Sequence, residues 1–199
     1  AYTWPAGSGA SVAGYDKDYE SSEFTTYHLK QTLRVLASNP NVENIHILAH
    51  SRGTAVVTTA LRELVIAAFA GSEDPRKVYK IKNLVLAAPD LDYQVALMRL
   101  GADRILMGTK RVTFYVSKED KAMGLAEWIF GGGIRVGAIQ PDEINPTQVE
   151  NMKIANWVNF VDARIPASGI GHSYYRKNPA ASSDLIQVLR YNRDPGEEH

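Results

Sequence analysis

The stretch Ile45-His46-Ile47-Leu48-Ala49-His50-Ser51-Arg52-Gly53-Thr54 places a serine where it could act as a nucleophile. An apolar run of strand character, Ile45 to Ala49, leads into small-x-Ser-x-Gly, and a helical pattern follows directly. A strand that turns this sharply into a helix forces the serine into a strained backbone conformation and lifts its Oγ above the sheet. Side chains two positions before and after the serine would collide, which is why Ala49 and Gly53 are small. The helix starting there directs its N–H groups and dipole at the same point, where they favour an oxyanion. The backbone N–H of Arg52 is the expected donor. The chemistry expected is attack of Ser51 on an acyl carbon through a covalent acyl-enzyme. Small-x-Ser-x-small patterns are common by chance, but few of them sit at a strand-to-helix junction.

A serine hydroxyl needs a base, and the chain has five histidines. His28 belongs to a helical stretch, His46 to the strand before Ser51, and His199 to the chain end. His50 neighbours the nucleophile, with its side chain expected to point elsewhere. His172, in Gly169-Ile170-Gly171-His172-Ser173-Tyr174-Tyr175, falls in a loop after the last strand, where the base belongs in folds built on such an elbow. The acid must orient the imidazole and stabilise its protonated form. Asp120 follows a strand in Ser117-Lys118-Glu119-Asp120, and Asp90 follows the preceding one in Ala88-Pro89-Asp90. Strand order favours Asp120, with Asp90 in reserve. Glu119 reads as solvated, and Asp92 and Asp162 as helix caps or surface ion pairs.

These residues need a frame. Short apolar runs alternate with amphipathic stretches, which is the mark of βαβ units and a parallel sheet. Strands are expected at Tyr2–Trp4, Ile45–Ala49, Leu84–Ala88, Arg111–Val116 and Trp157–Val161. Helices are expected from Ser21 or Ser22 to the Asn39-Pro40 stop, over Thr54–Ala68, over Lys121–Phe130, and from Ser182 or Ser183 through Leu189. Gly131–Asn151 is rich in Gly, Pro and Asn and reads as a surface excursion; with Trp128, Ile129 and Phe130 it could also wall or cover an acyl site.

The 199 residues suit one domain, expected over 1–199. Lys+Arg and Asp+Glu balance at 22 each, so no nucleic-acid partner is expected. With no cysteine there are no disulfides, thiol catalysis or Cys-based zinc sites. No cofactor or metal is expected. The longest apolar candidate, Leu61–Ala70, is interrupted by Arg62 and Glu63 and falls short of the ~20 residues needed to span a bilayer. The opening Ala1-Tyr2-Thr3-Trp4-Pro5 has neither a start methionine nor the form of a signal peptide, and reads as the interior of a longer protein.

Taken together, the chain resembles the bacterial α/β-hydrolases of unknown function grouped as DUF900. The resemblance rests on Thr3-Trp4-Pro5 with Tyr15-Asp16, Ala49-His50-Ser51-Arg52-Gly53-Thr54 and Leu86-Ala87-Ala88-Pro89-Asp90. It continues through Tyr115-Val116-Ser117 with Asp120-Lys121-Ala122, Arg135-Val136-Gly137 and Gly171-His172-Ser173-Tyr174-Tyr175. It spans roughly residues 1 to 190. It implies a three-layer α/β fold around a mostly parallel sheet, and Ser51, Asp120 and His172 as a triad. The family usually carries Met where this chain has Arg52, so a more polar groove is expected here. In this fold a strand that precedes Tyr2 lies beside the Ser51 strand and supplies the second oxyanion donor. That strand is missing from the sequence, so an N-terminal segment or a second chain is expected to complete the sheet. Without it, turnover should fall by about two to three orders of magnitude.

The expected activity is therefore hydrolysis of a small-molecule carboxylic ester. The alternative is an inactive module of the same fold used for binding or assembly. A nucleotide-binding Rossmann-like domain is disfavoured, since no G-x-G-x-x-G follows any strand.

Overall fold

The computed structural model describes residues 1–3, 12–123, 135–138, 158–163 and 171–196, with side chains of residues 12–19 excepted. Four strands form one sheet: β1 (Ile45–His50), β2 (Ile81–Ala87), β3 (Thr109–Val116) and β4 (Val158–Asp162). They pair in parallel in the order β1-β2-β3-β4. Parallel neighbours need crossovers. Helices α2 (Gly53–Ala70) and α3 (Pro75–Tyr79) connect β1 to β2, and α4 (Tyr93–Leu100) connects β2 to β3.

The central strands are largely apolar in their C-terminal halves, Leu84–Ala87 and Val112–Val116, because they are covered twice. From β2 and β3, Leu84, Leu86, Val112 and Phe114 join Ile45 and Ala49 of β1 in a core with Leu61 and Leu64 of α2. Helix α1 (Val12–Ser38) lies over α2 and adds Leu33 and Ala37 to this core. On the opposite face Val85, Ala87 and Tyr115 meet Ala181, Leu185 and Val188 of α6 (Pro179–Tyr191), with Tyr174 of the short α5 (Tyr174–Lys177). The result is the expected three-layer α/β/α arrangement around a parallel sheet. Among the described residues β1 is an edge strand, and its Leu48 stays 41% exposed. Helix α2 is long and apolar enough to cross a membrane by composition alone, yet it is the core helix between the sheet and α1.

Several boundaries differ from the sequence reading. Helix α1 begins at Val12, so Ser21 and Ser22 lie inside it rather than at its start. A serine permits a helix start without requiring one, and no proline stands between Val12 and Ser38 to interrupt the helix. Helix α6 starts at Pro179 rather than near Ser182. Asn178 is the cap, its carboxamide oxygen accepting from the N–H of Ala180 and Ala181, and Pro179 occupies the first turn. Asp74-Pro75 opens α3 by the same device. Ala1–Thr3 is not in a strand; the Tyr2 hydroxyl donates to the carbonyl of Thr25 on α1 at 3.4 Å.

Of the expected helix Lys121–Phe130, residues 121–123 are helical and the rest lies outside the described residues. Of the expected excursion Gly131–Asn151, only 135–138 is described, and it is not surface. Val136 and Gly137 are buried, with Val136 N–H on the Leu91 carbonyl and Gly137 N–H on the Pro89 carbonyl, each at 3.0 Å. The local composition resembles a loop, but these backbone groups find partners at the end of β2.

If α2 is held by the core it fills, Leu64→Ala, at a fully buried position, lowers stability by about 3 kcal/mol. Ile66→Ala, on the same helix but 53% exposed, stays within about 0.5 kcal/mol of wild type. Urea unfolding midpoints of the two variants check this.

Candidate active site

The chain leaves β1 through Ser51, whose φ of +53° is left-handed. An L-residue reaches that region at a cost and stays only when its surroundings fix it. Here they do. The Ser51 N–H donates to the Ala87 carbonyl at 3.1 Å. The Ser51 carbonyl accepts from the N–H of Thr54 at 3.0 Å, from the Thr54 hydroxyl at 2.7 Å and from the Asp90 N–H at 3.4 Å. Arg52 follows in helical conformation and α2 starts at Gly53, so the Arg52 backbone lies at the positive end of that helix. The neighbouring strand ends in the same way: Ala88 has φ +46° and its N–H donates to the Tyr115 carbonyl at 3.0 Å.

Beyond β3, Asp120 is sealed from solvent. Its Oδ1 accepts from the Ala122 N–H at 3.1 Å, and its Oδ2 lies 2.8 Å from His172 Nδ1. A buried carboxylate without a proton can only accept, so the shared hydrogen belongs to Nδ1. In a neutral ring that leaves a lone pair on Nε2, the form a general base requires. The turns carrying Asp120 and His172 touch at Gly171. Its φ is +74°, and a Cβ there would stand 2.6 Å from the Glu119 carbonyl oxygen. Two residues past His172, the buried Tyr174 hydroxyl donates to the Tyr115 carbonyl at 2.7 Å. Burial pushes the Tyr174 phenol well above its ordinary range, so it remains a donor. Tyr115 in turn donates to Asp184 of α6 at 2.6 Å.

Asp90, the reserve candidate for the acid, has another place. It is buried between two guanidinium groups, with Oδ2 3.6 Å from Arg52 Nη1 and Oδ1 3.6 Å from Arg135 Nη1. Arg135 also bridges Asp92 through the backbone. The carboxylate of Asp92 caps α4 by accepting from the Val95 N–H at 3.1 Å. Glu119 accepts from the Ser117 hydroxyl at 3.0 Å rather than facing only solvent. Asp162 ends β4. Among the other histidines, exposed His28 packs on Phe24 and Tyr27, and His46 Nδ1 accepts from Asn83 at 2.9 Å. His199 lies outside the described residues.

His50 departs from expectation. Its ring is turned toward the base, with centroids 4.7 Å from those of His172 and Tyr175. Its Nε2 lies 3.0 Å from the His172 carbonyl oxygen. Gly171 carried a legible signal, a glycine directly before the expected base. The pairing of Arg135 with Asp90 carried none, since the two lie 45 positions apart in the sequence. Among the described residues no three His, Asp or Glu side chains gather as metal ligands do.

A serine held in a left-handed strand–helix turn, with a bonded His–Asp pair arriving from the C-terminal ends of later parallel strands, defines an α/β hydrolase. The chain belongs to the family described as alpha/beta hydrolase of unknown function (DUF900), which matches residues 1–190. No curated protein and no solved structure matches it.

Two outcomes follow from this packing. Asp90→Ala removes the carboxylate that two largely buried arginines share and lowers stability by about 3 kcal/mol, against about 1 kcal/mol for the cap variant Asp92→Ala; chemical denaturation compares them. The second concerns pH. Desolvation lowers His50 below its ordinary 6.5, so below that value the unfolded chain binds a proton that the folded one resists. Stability therefore falls on acidification below about pH 6.5, and His50→Gln makes that part of the stability–pH curve shallower in urea titrations at successive pH values.

Proposed function

We propose that the protein is a serine hydrolase that cleaves carboxylic esters through an acyl-enzyme. The observation that carries this reading is the 2.8 Å bond between His172 Nδ1 and buried Asp120, which leaves Nε2 as the basic nitrogen of a ring packed on His50, the residue before Ser51. In the first half-reaction His172 Nε2 takes the Ser51 proton while Oγ bonds to the acyl carbon. The carbonyl oxygen becomes an oxyanion, for which the Arg52 N–H at the start of α2 is one donor. Collapse breaks the ester C–O bond, and the leaving alcohol takes the proton from His172. Water then repeats the sequence on the acyl-enzyme, releasing the acid and restoring the serine. Asp120 holds the ring in one tautomer throughout. The substrate class is a small-molecule acyl ester, and the chemistry calls for no metal or cofactor.

An oxyanion hole uses two donors. The second would come from a strand alongside β1 on the edge away from β2, supplied by a further segment or a second chain. Leu48, exposed on that strand, supports this placement. The same edge supports a second reading, in which the fold serves binding or assembly and the triad is idle.

Hydrolysis of short and long p-nitrophenyl esters separates the two. Under the first, turnover vanishes in Ser51→Ala and falls by about 10⁴ in Asp120→Asn, as removal of the orienting acid does in serine proteases. A fluorophosphonate labels wild type and spares Ser51→Ala. Equal silence of wild type and Ser51→Ala in both assays, with the β1 edge completed, would leave the binding reading standing.

A further inference from the structure

We propose that His50 is a positioning residue that fastens the turn carrying the general base to the strand carrying the nucleophile. The inference rests on the serine-hydrolase reading above and adds to it a role for a residue that reading does not use.

The geometry is specific. A backbone carbonyl can only accept, so the 3.0 Å contact with the His172 oxygen fixes the hydrogen on His50 Nε2. The same ring packs against the imidazole of His172 and the phenol ring of Tyr175, each at 4.7 Å between centroids. One side chain thus touches the base twice, through its main chain and through its ring. His50 is the last residue of β1, and Ser51 follows it directly. The covalent neighbour of the nucleophile is therefore bonded to the covalent frame of the base, 122 residues later in the sequence.

The other restraints on this turn come from elsewhere. Gly171 seats it on Glu119, and Tyr174 ties it to β3 through the Tyr115 carbonyl. Both align base with acid. Only the His50 contacts, among those described, tie the base to the strand that ends at Ser51. Proton transfer from Oγ to Nε2 depends on their separation, and a misplacement of about 1 Å can cost ~10²-fold in rate. Burial lowers the His50 pKa, which keeps the ring neutral and spares His172 a second cation at its face.

The test uses three forms of the protein. His50→Phe keeps a ring and loses the donor; His50→Gln keeps an N–H near the reach of Nε2. Steady-state hydrolysis of a p-nitrophenyl ester, and the rate of fluorophosphonate labelling, are measured for each beside wild type. The expected result is a kcat about 10- to 100-fold lower in His50→Phe with KM within about threefold, and recovery of most of that loss in His50→Gln. A second readout needs no turnover. The downfield proton of His172 Nδ1, assigned by its absence in His172→Gln, is sharp in wild type and His50→Gln. In His50→Phe it broadens by exchange with water.

Wild-type kcat and an unchanged Nδ1 proton in His50→Phe would overturn the proposal. So would equal losses in His50→Phe and His50→Gln that track loss of melting temperature, because packing alone would then account for them. If wild type shows no turnover that depends on Ser51, the esterase reading fails by itself. The Nδ1 proton still decides whether His50 holds His172.

Discussion

The left-handed turn at Ser51 is the constraint on which the rest of the site depends. A backbone residue in that region costs of order 1–3 kcal/mol and persists only where its surroundings outweigh the cost. The bonds that hold it are not local. Its N–H is taken by Ala87 at the end of β2, and its carbonyl by Asp90 beyond the next turn as well as by Thr54. The elbow is therefore a property of two adjacent strand ends. The second of these must turn sharply too, and it does so at Ala88, held by the Tyr115 carbonyl of β3. The Asp90 side chain, fixed between Arg52 and Arg135, anchors the backbone N–H that reaches Ser51.

The His172–Asp120 pair follows from a different constraint, the burial of Asp120. A sealed carboxylate is costly unless donors satisfy it. The two donors are the Ala122 N–H and His172 Nδ1–H. Satisfying Asp120 thus selects the tautomer of His172, and the lone pair left on Nε2 is a by-product of a packing requirement. The contact of Gly171 with Glu119 allows this, since any side chain there would lever the two turns apart.

Much of the frame was legible in the sequence because periodicity reports burial. The runs at Leu84 and Val112 are mostly apolar at successive positions because helices cover both faces, and β2 and β3 are buried almost along their length. Helix ends were less legible. Asn178-Pro179 and Asp74-Pro75 both obey the cap-then-proline rule, but serines nearby competed for attention at α6, and α3 is too short to show a period. The burial of segment 135–138 could not be read, since its partners, the carbonyls of Pro89 and Leu91, are backbone groups that leave no trace in the sequence.

At the site, the legible part was the part that breaks local rules. Six non-glycine residues among those described have positive φ: Ser51, Ser72, Lys80, Ala88, Arg104 and Asn192. Four of them have ordinary causes, because they begin or finish helical turns, as Lys80 does for α3 and Asn192 for α6. Ser51 and Ala88 end strands, where no helix needs a left-handed stop. Local conflict that tertiary bonds must maintain is expected where function requires it. For Ser51 the conflict showed in sequence, since small residues at 49 and 53 are its steric signature. For Ala88 nothing showed, because its partner is a carbonyl on β3. His50 was hidden for the same reason. Its meaning lies in a contact across 122 residues, and no local pattern encodes where a ring at the end of a strand will turn.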